Sequence, residues 1–386
     1  MKIFHTADWH LGKLVQGIHM TEDQHEILQQ FIQAIDEEQP DVIIIAGDLY
    51  DRALPPVEAV ELLNDLFTKI VLERNVPVLA VAGNHDSPTR LQFGNQILER
   101  NGLHIVGDVQ AALKPTIVTD EFGDVHFHLI PFAEPSTVRV ALQDETIATY
   151  DQAMQKIIEQ ITANWQADVR HVAIAHAFVT PYGEPEENTS ESERPLAIGG
   201  SEYVNAHYFE PFNYTALGHL HRAHKVLHEK IRYAGSPLKY SVSEAQHEKG
   251  FLIVQLAQDG TVSVEKRLLI PRRNLRVVEG ALQEILRHGE SEDYVFVRLT
   301  DTTPIIGAMQ KVRTVYKNAL HVERKTVSQQ VNDKVATVQR SQLDDHTLFK
   351  GFFKEMTEQQ PTDAALQIFE EALQNLLLEE REEAGR

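Results

Sequence analysis

The sequence predicts an α/β protein: two β-sheets packed face to face with helices outside (α/β/β/α), then a small C-terminal α/β capping unit and a helical tail. Three observations predict it. The first third alternates apolar strand and amphipathic helix, an order that makes the strands parallel and covers them with helices. From about Leu103 to Leu269 short β segments dominate. Pro271-Arg272-Arg273-Asn274 then reads as a linker, after which strands and helices alternate again.

Taken in order, Lys2 to Thr6 is a short apolar strand. Ile27, Leu28, Phe31, Ile32 and Ile35 mark one helix face, and Pro40 ends that helix. Asp41 to Ala46 is a buried strand. Pro55 and Pro56 open a second helix, with Val60, Leu63, Phe67, Ile70 and Val71 expected inward, and Val76 to Ala82 is the third strand. Strands are expected at Thr116 to Thr119 and Val125 to Pro131, followed by one long helical stretch from about Ser136 to Asn164. Further strands are expected at His171 to His176, Tyr214 to Leu217, Lys225 to Leu227, Arg232 to Ala234, Gly250 to Leu256 and Val262 to Leu269. Beyond the linker, strands at Leu275 to Glu279, Tyr294 to Leu299 and Ala319 to Glu323 alternate with helices near Ala281 to Arg287 and Pro304 to Asn318. The expected division is a domain over 1–270, a capping unit over 274–340 and a helical segment over 341–386.

A chain of 386 residues, 42% of them apolar, suffices for a large domain and a smaller one. There is no cysteine, which excludes disulfides, thiolate metal sites and cysteine nucleophiles. Any metal must be held by nitrogen and oxygen, and 19 histidines are on hand. The N-terminus lacks the pattern of a signal peptide, and no run approaches the roughly 20 apolar residues of a membrane helix. A soluble, cytoplasmic protein is the expectation. The net charge of −21 opposes nucleic-acid binding, but basic residues cluster at Lys266, Arg267, Arg272, Arg273 and Arg276 and at Arg222, Lys225, Lys230, Arg232 and Lys239. Each of these equally suits a solvated strand.

Five short motifs follow apolar strands. Asp8-Trp9-His10 follows the first; residues i and i+2 of a strand point the same way, so Asp8 and His10 can reach one ion. Gly47-Asp48 follows the second and Gly83-Asn84-His85-Asp86 the third. His176 ends Val172 to Ala175, and Gly218-His219-Leu220-His221 ends Tyr214 to Leu217. Singly each is weak: Asp-x-His and Gly-Asp are common in loops, and a lone histidine after a strand is usually half-buried and structural. Together, at the C-terminal ends of neighbouring strands, they converge where open α/β sheets bind ligands.

This ordered set resembles the calcineurin-like metallophosphoesterase superfamily over about Met1 to Leu269. His5 to Gly12, Ala46 to Arg52, Val81 to Ser87 and Tyr233 to Pro237 are similar to its bacterial SbcD branch of DNA nucleases. The resemblance implies two divalent ions: one held by Asp8, His10, Asp48 and His221, the other by Asp48, Asn84, His176 and His219, with Asp48 shared. Oxygen and imidazole donors suit manganese without excluding iron or zinc, and the family implies manganese. It also implies that the ions polarise a phosphodiester and activate water for in-line attack, with His85 serving the leaving oxygen and Asp86 orienting His85. Relatives outside the bacteria place a histidine where Asp51-Arg52 stands, so no second DNA-handling histidine is carried over. His126 and His128 read as structural.

The implied substrate is double-stranded DNA with ends or hairpins, with Lys13, Arg52, Arg90 and Arg222 as candidate phosphate contacts. The implied partner is an SMC-like ATPase of the SbcC type, docked on the apolar stripes Leu348, Phe349, Phe352, Phe353, Met356 and Leu366, Phe369, Leu373, Leu376; packing on the protein's own body explains those stripes equally well. Helices within Pro56 to Arg74 and Thr89 to Asn101 are the implied homodimer surface. The rival readings are a small-molecule or protein phosphoesterase of the same fold, and a non-catalytic scaffold built on it. The scaffold reading fits poorly, since no ligand position is substituted.

Overall fold

The computed structural model describes residues 1–324 apart from 164, 167, 184–189, 192 and 194–201, together with 349–350, 353, 360–362, 365–366 and 368–369. In chain order its main elements are β1 (Lys2–Thr6), α1 (Thr21–Glu38), β2 (Val42–Ile45), α2 (Val57–Phe67), β3 (Val78–Val81), β4 (Leu103–Val106), β5 (Thr116–Asp120), β6 (Gly123–Ile130), α3 (Pro135–Leu142), α4 (Tyr150–Thr162), β7 (Arg170–His176), β8 (Tyr214–Gly218), β9 (His224–Val226), β10 (His228–Tyr233), β11 (Gly250–Leu256) and β12 (Val262–Leu268). One six-stranded sheet runs β12-β11-β1-β2-β3-β4, and a second runs β9-β10-β8-β7-β6-β5. In the first, β1 to β4 are parallel, and in the second β6, β7, β8 and β10 are parallel; antiparallel strands close the edges.

Strand alternation sorts the apolar side chains into layers. Ile3, Val42, Ile44, Leu79 and Val81 meet Phe127, Leu129, Val172, Ile174 and Ala216 between the sheets. Phe4, Ile43, Ile45, Val78 and Ala80 face Ile27, Phe31, Leu63 and Leu66 of α1 and α2. Ile130, Ala173, Ala175 and Leu217 face Val138, Met154, Ile157 and Ile161 of α3 and α4. The architecture is therefore helix, sheet, sheet, helix. His5, fully buried on β1, bridges the layers through the Tyr214 hydroxyl at 2.8 Å and the Leu217 carbonyl at 3.2 Å.

Two expectations about the helices are corrected. The stretch 136–164 is two helices, because Gln143 enters the left-handed region at φ 54° and ends α3. Thr149 then starts α4 with a reciprocal capping box to Gln152. On α2 the buried stripe is Ala59, Leu62, Leu63 and Leu66, while Val60 is exposed. A π-helical turn at Thr68–Leu72 adds a residue and shifts the phase, so Ile70 and Val71 still point inward.

After the linker, β13 (Leu275–Gly280), β14 (Tyr294–Leu299) and β15 (Ala319–Arg324) form a parallel three-stranded sheet covered by helices Leu282–Ile285 and Ala308–Val312, both shorter than expected. The basic residues here are engaged. Arg267 pairs with Glu37 and Glu38, Arg272 with Glu22, Arg273 with Glu22 and Asp23, and Arg276 with Asp293. Arg273 and the Tyr294 hydroxyl both bind the buried Asp23 carboxylate, at 3.0 and 2.6 Å, and so staple the linker to α1. Lys225 and Arg232 pair with Glu229; Lys230, Lys239 and Lys266 donate to backbone carbonyls. Apart from exposed Arg222, the basic residues of both clusters are thus engaged within the protein. Leu348, Phe352, Met356, Leu373 and Leu376 lie outside the described residues; Phe349 stacks on Phe369 at 4.1 Å and touches Phe353.

Candidate metal centre

The loops after β1, β2, β3, β7 and β8 meet at one end of the sandwich. The β1 and β2 loops run side by side: the N–H of Asp8 donates to Gly47, that of His10 to Asp48 and that of Leu11 to Leu49. Between the two donor residues, Trp9 is buried in the α1 core, with its indole N–H on Thr6 Oγ1 at 2.9 Å. Gln24 of α1 donates to the Trp9 and His10 carbonyls and accepts from the Gly12 N–H.

The i, i+2 strand argument does not describe how Asp8 and His10 converge. Both lie past the strand and are left-handed, at φ 55° and 45°. Asp48 (φ 51°) and His219 (φ 107°) are also at positive φ. Four of the seven expected ligands thus adopt a conformation costly for any side chain, which persists only where surrounding contacts impose it. Two glycines make room: a Cβ on Gly47, itself at φ +94°, would lie 2.2 Å from His176 Nδ1, and one on Gly83 would lie 2.1 Å from Asp48 Oδ1.

All seven expected donors come together, and all but half-buried Asn84 are buried. His10 Nε2 faces His221 Nε2 at 3.0 Å and Asp48 Oδ2 at 3.6 Å, with Asp8 within the same cluster. His176 Nε2 lies 2.9 Å from Asn84 Oδ1 and 3.4 Å from Asp48 Oδ2, and His219 Nδ1 lies 3.3 Å from Asn84 Oδ1. Asp48 therefore stands between two groups. The Asp8 carboxylate accepts the His219 N–H at 2.9 Å.

The ring protons test whether these residues suit a cation. His176 Nδ1 contacts the Ala46 carbonyl at 2.9 Å and must donate to it, which leaves Nε2 as a lone pair. His221 Nδ1 likewise contacts Glu244 Oε1 at 3.2 Å. Lone pair then faces lone pair at His176–Asn84, and the His221 lone pair faces His10. The His176–Asn84 contact is favourable only around positive charge, so the donor set fits divalent ions. A proton on His176 Nε2 is the other way to supply that charge: burial pulls the ring down, but Asp48 outweighs it and lifts the ring to about 9. Burial pushes the Asp8 carboxyl well above its ordinary value.

His85 lies over His10, ring centroids 4.7 Å apart, and donates from Nδ1 to the Asp51 carbonyl at 2.8 Å; its N–H binds Asp48 Oδ1 at 2.9 Å. Burial lowers its ring below the ordinary histidine range. The orienting role expected of Asp86 is corrected. Both of its oxygens are used by backbone donors, Gly83 at 3.0 Å, Leu49 at 3.1 Å and Tyr50 at 3.0 Å. Asp86 clamps the β2 loop to the β3 loop, and the Asp51 main chain orients His85.

The expected phosphate contacts divide. Lys13 is committed to Asp51 at 2.8 Å, whereas Arg52, Arg90 and Arg222 are exposed. Asp51, Gln24, Glu193, Glu244 and Lys249 are site residues that the motifs did not reveal. Asp51 had a signal, since it sits within the quoted stretch Ala46 to Arg52; the others follow from the fold alone.

Comparison with known proteins places this geometry. Residues 1–223 match the calcineurin-like phosphoesterase family, and residues 271–357 match the type 5 capsule protein repressor C-terminal domain. The SbcD subunit of the SbcCD nuclease of Staphylococcus epidermidis is 36% identical over 363 residues, spanning 93% of this chain and 94% of that protein. Among solved structures, a protein of Thermus thermophilus is 13% identical with a TM-score of 0.38, covering 69% of this chain and 98% of its own. A dimetal phosphatase from Danio rerio is 11% identical with a TM-score of 0.42, covering 70% and 97%.

Proposed function

Given that the chain belongs to the calcineurin-like phosphoesterase family and matches the SbcD subunit of an SbcCD nuclease over nearly its whole length, we propose that it is a metal-dependent DNA nuclease acting on double-stranded ends and hairpins. The observation that carries the reading is the buried convergence of seven nitrogen and oxygen donors around Asp48. Asp8, His10, Asp48 and His221 would hold one ion, and Asp48, Asn84, His176 and His219 the other. Manganese suits such donors. Bound there, the ions would supply Lewis acidity toward the phosphodiester and activation of water.

The chain's own residues do the rest. The Asp51 carbonyl fixes the Nδ1 proton of His85, so Nε2 offers a lone pair in the neutral ring and a proton only in the imidazolium. An anionic phosphodiester beside the ring favours the imidazolium, which can then serve the leaving oxygen. Exposed Arg52, Arg90 and Arg222 remain the phosphate contacts of this reading; neutralising two of them should flatten the salt dependence of DNA binding.

The proposed partner is an SbcC-type SMC-like ATPase, bound through 341–386, in a heterotetramer built on a homodimer. Support for the homodimer is an apolar groove of about 630 Å³ between the α2 helix and 87–105, with exposed Leu54, Val60 and Leu72 among its lining. Among the described residues no helix is long and apolar enough to cross a membrane; a cytoplasmic site of action agrees with a DNA substrate. The decisive assay is manganese-dependent cleavage of linear duplex and hairpin DNA against nucleotide monoesters, with Asp48→Ala as control. Hydrolysis of monoesters without DNA cleavage would reject the nuclease reading. Deleting 341–386 should abolish the ATPase complex and leave a folded, metal-binding chain.

A further inference from the structure

Behind the metal donors lies a second group of charged side chains. Every polar group of His221 that faces away from the centre is held by one of them. Its N–H donates to Glu193 Oε1 at 2.7 Å. Its carbonyl accepts from Lys249 Nζ at 2.8 Å. Its Nδ1 donates to Glu244 Oε1 at 3.2 Å. Glu244 and Lys249 are buried at 0% and 6% exposure, and they pair with each other. The Lys249 ammonium has three donors and three acceptors: the His221 carbonyl, Ser236 Oγ at 2.8 Å and the Glu244 carboxylate. Nothing is left over on the cation, which is the condition under which a buried ion pair is tolerated.

No other imidazole of the centre is gripped this way among the described residues. His176 leans on a single carbonyl, and His10 Nδ1 stands 3.6 Å from Asp51. A buried ion pair is also a poor means of stabilising a fold, since apolar residues of the same volume usually serve as well or better. The group must therefore act on His221. A carboxylate on Nδ1 fixes the tautomer that presents Nε2 as a lone pair, strengthens it as a donor and locks the ring plane. Ligands held by their backbone as well as their ring lose little freedom when an ion binds.

We propose that Glu244, Lys249 and Glu193 are positioning residues that set the affinity of one ion of the pair, the one shared by Asp8, His10, Asp48 and His221, while leaving the other to its own ligands. This rests on the two-metal reading above. Its consequence is unequal occupancy: the two ions can be filled and emptied separately by changes that touch neither.

The test is titration of the full chain with Mn2+ alone, followed by calorimetry and by electron paramagnetic resonance, in which a coupled pair and a lone ion give different spectra. The variants are Glu244→Gln, Glu193→Gln and the neutral double replacement Glu244→Gln with Lys249→Met. The double variant removes the ion pair as a unit and guards against a fold lost to one stranded charge. Wild type should bind two ions and show the coupled signal. Glu244→Gln and the double variant should weaken one ion by about 10–100-fold, turning the coupled spectrum into that of a lone ion at intermediate Mn2+, with metal-free unfolding of the double variant close to wild type. Glu193→Gln, acting on the backbone alone, should weaken the same ion less. A folded double variant that binds both ions as wild type does would overturn the proposal, as would equal weakening of both. Wild type binding fewer than two ions would instead overturn the two-metal reading itself.

Discussion

Replacing Asp86 by alanine separates two accounts of this residue. Its carboxylate is 7% exposed and accepts three main-chain N–H groups from two loops. Removing it strands three buried donors. Each unsatisfied buried group costs about 1–3 kcal/mol, so with partial relief from entering water the loss should be about 3–5 kcal/mol. At roughly 2–4 °C per kcal/mol for large domains, the melting temperature should fall on the order of 6–20 °C. Asp86→Asn keeps one acceptor oxygen and should fall between. The assay is thermal and urea unfolding of the full chain, followed by circular dichroism, in chelator and in Mn2+. If Asp86→Ala unfolds within about 1 kcal/mol of wild type, the clamp is wrong. Unchanged stability with cleavage lost would return Asp86 to an orienting role on His85.

Three further outcomes are expected. His85→Ala should keep both Mn2+ affinities, measured by calorimetry, while DNA cleavage is lost, because His85 binds Asp48 through its backbone N–H, which alanine retains, and its ring is not among the seven donors. His128 is lowered to about 3 by burial first, with His171 and His126 adding to it. The unfolded chain therefore binds more protons between about pH 6.5 and 3, and stability should rise with pH through that window; His128→Phe should flatten that slope in urea midpoints taken across it. Arg273→Ala leaves the buried Asp23 carboxylate with the Tyr294 hydroxyl and should destabilise by about 3 kcal/mol in urea unfolding.

The layer order and the strands were legible in the sequence, because burial on two faces writes itself as apolar runs such as Val42 to Ile45 and Val172 to Ala175. The α3–α4 break carries a local signal in the Thr149-x-x-Gln152 capping pair, but none in the turn of Gln143 into the left-handed region. The inward face of α2 departs from the pattern only at Val60, which is exposed; Leu63, Ile70 and Val71 are buried. The donor positions could be listed from the motifs, yet the reason they converge could not: left-handed Asp8, His10, Asp48 and His219 are set by tertiary contact, not by strand alternation. Glu193, Glu244 and Lys249 were beyond reach for the same reason. Each lies 23 to 28 residues from His221, where charged side chains read as surface.

The left-handed residues have a bearing on how such a protein decays. At Asp8 or Asp48 a glycine would relieve a backbone conformation that costs about 1 kcal/mol in any other residue, but it would also strand the His219 or His85 N–H that the carboxylate accepts, at about 1–3 kcal/mol. Loss of either carboxylate therefore weakens the fold as it destroys the chemistry, and selection for stability alone would give such a chain no easy route to shedding them.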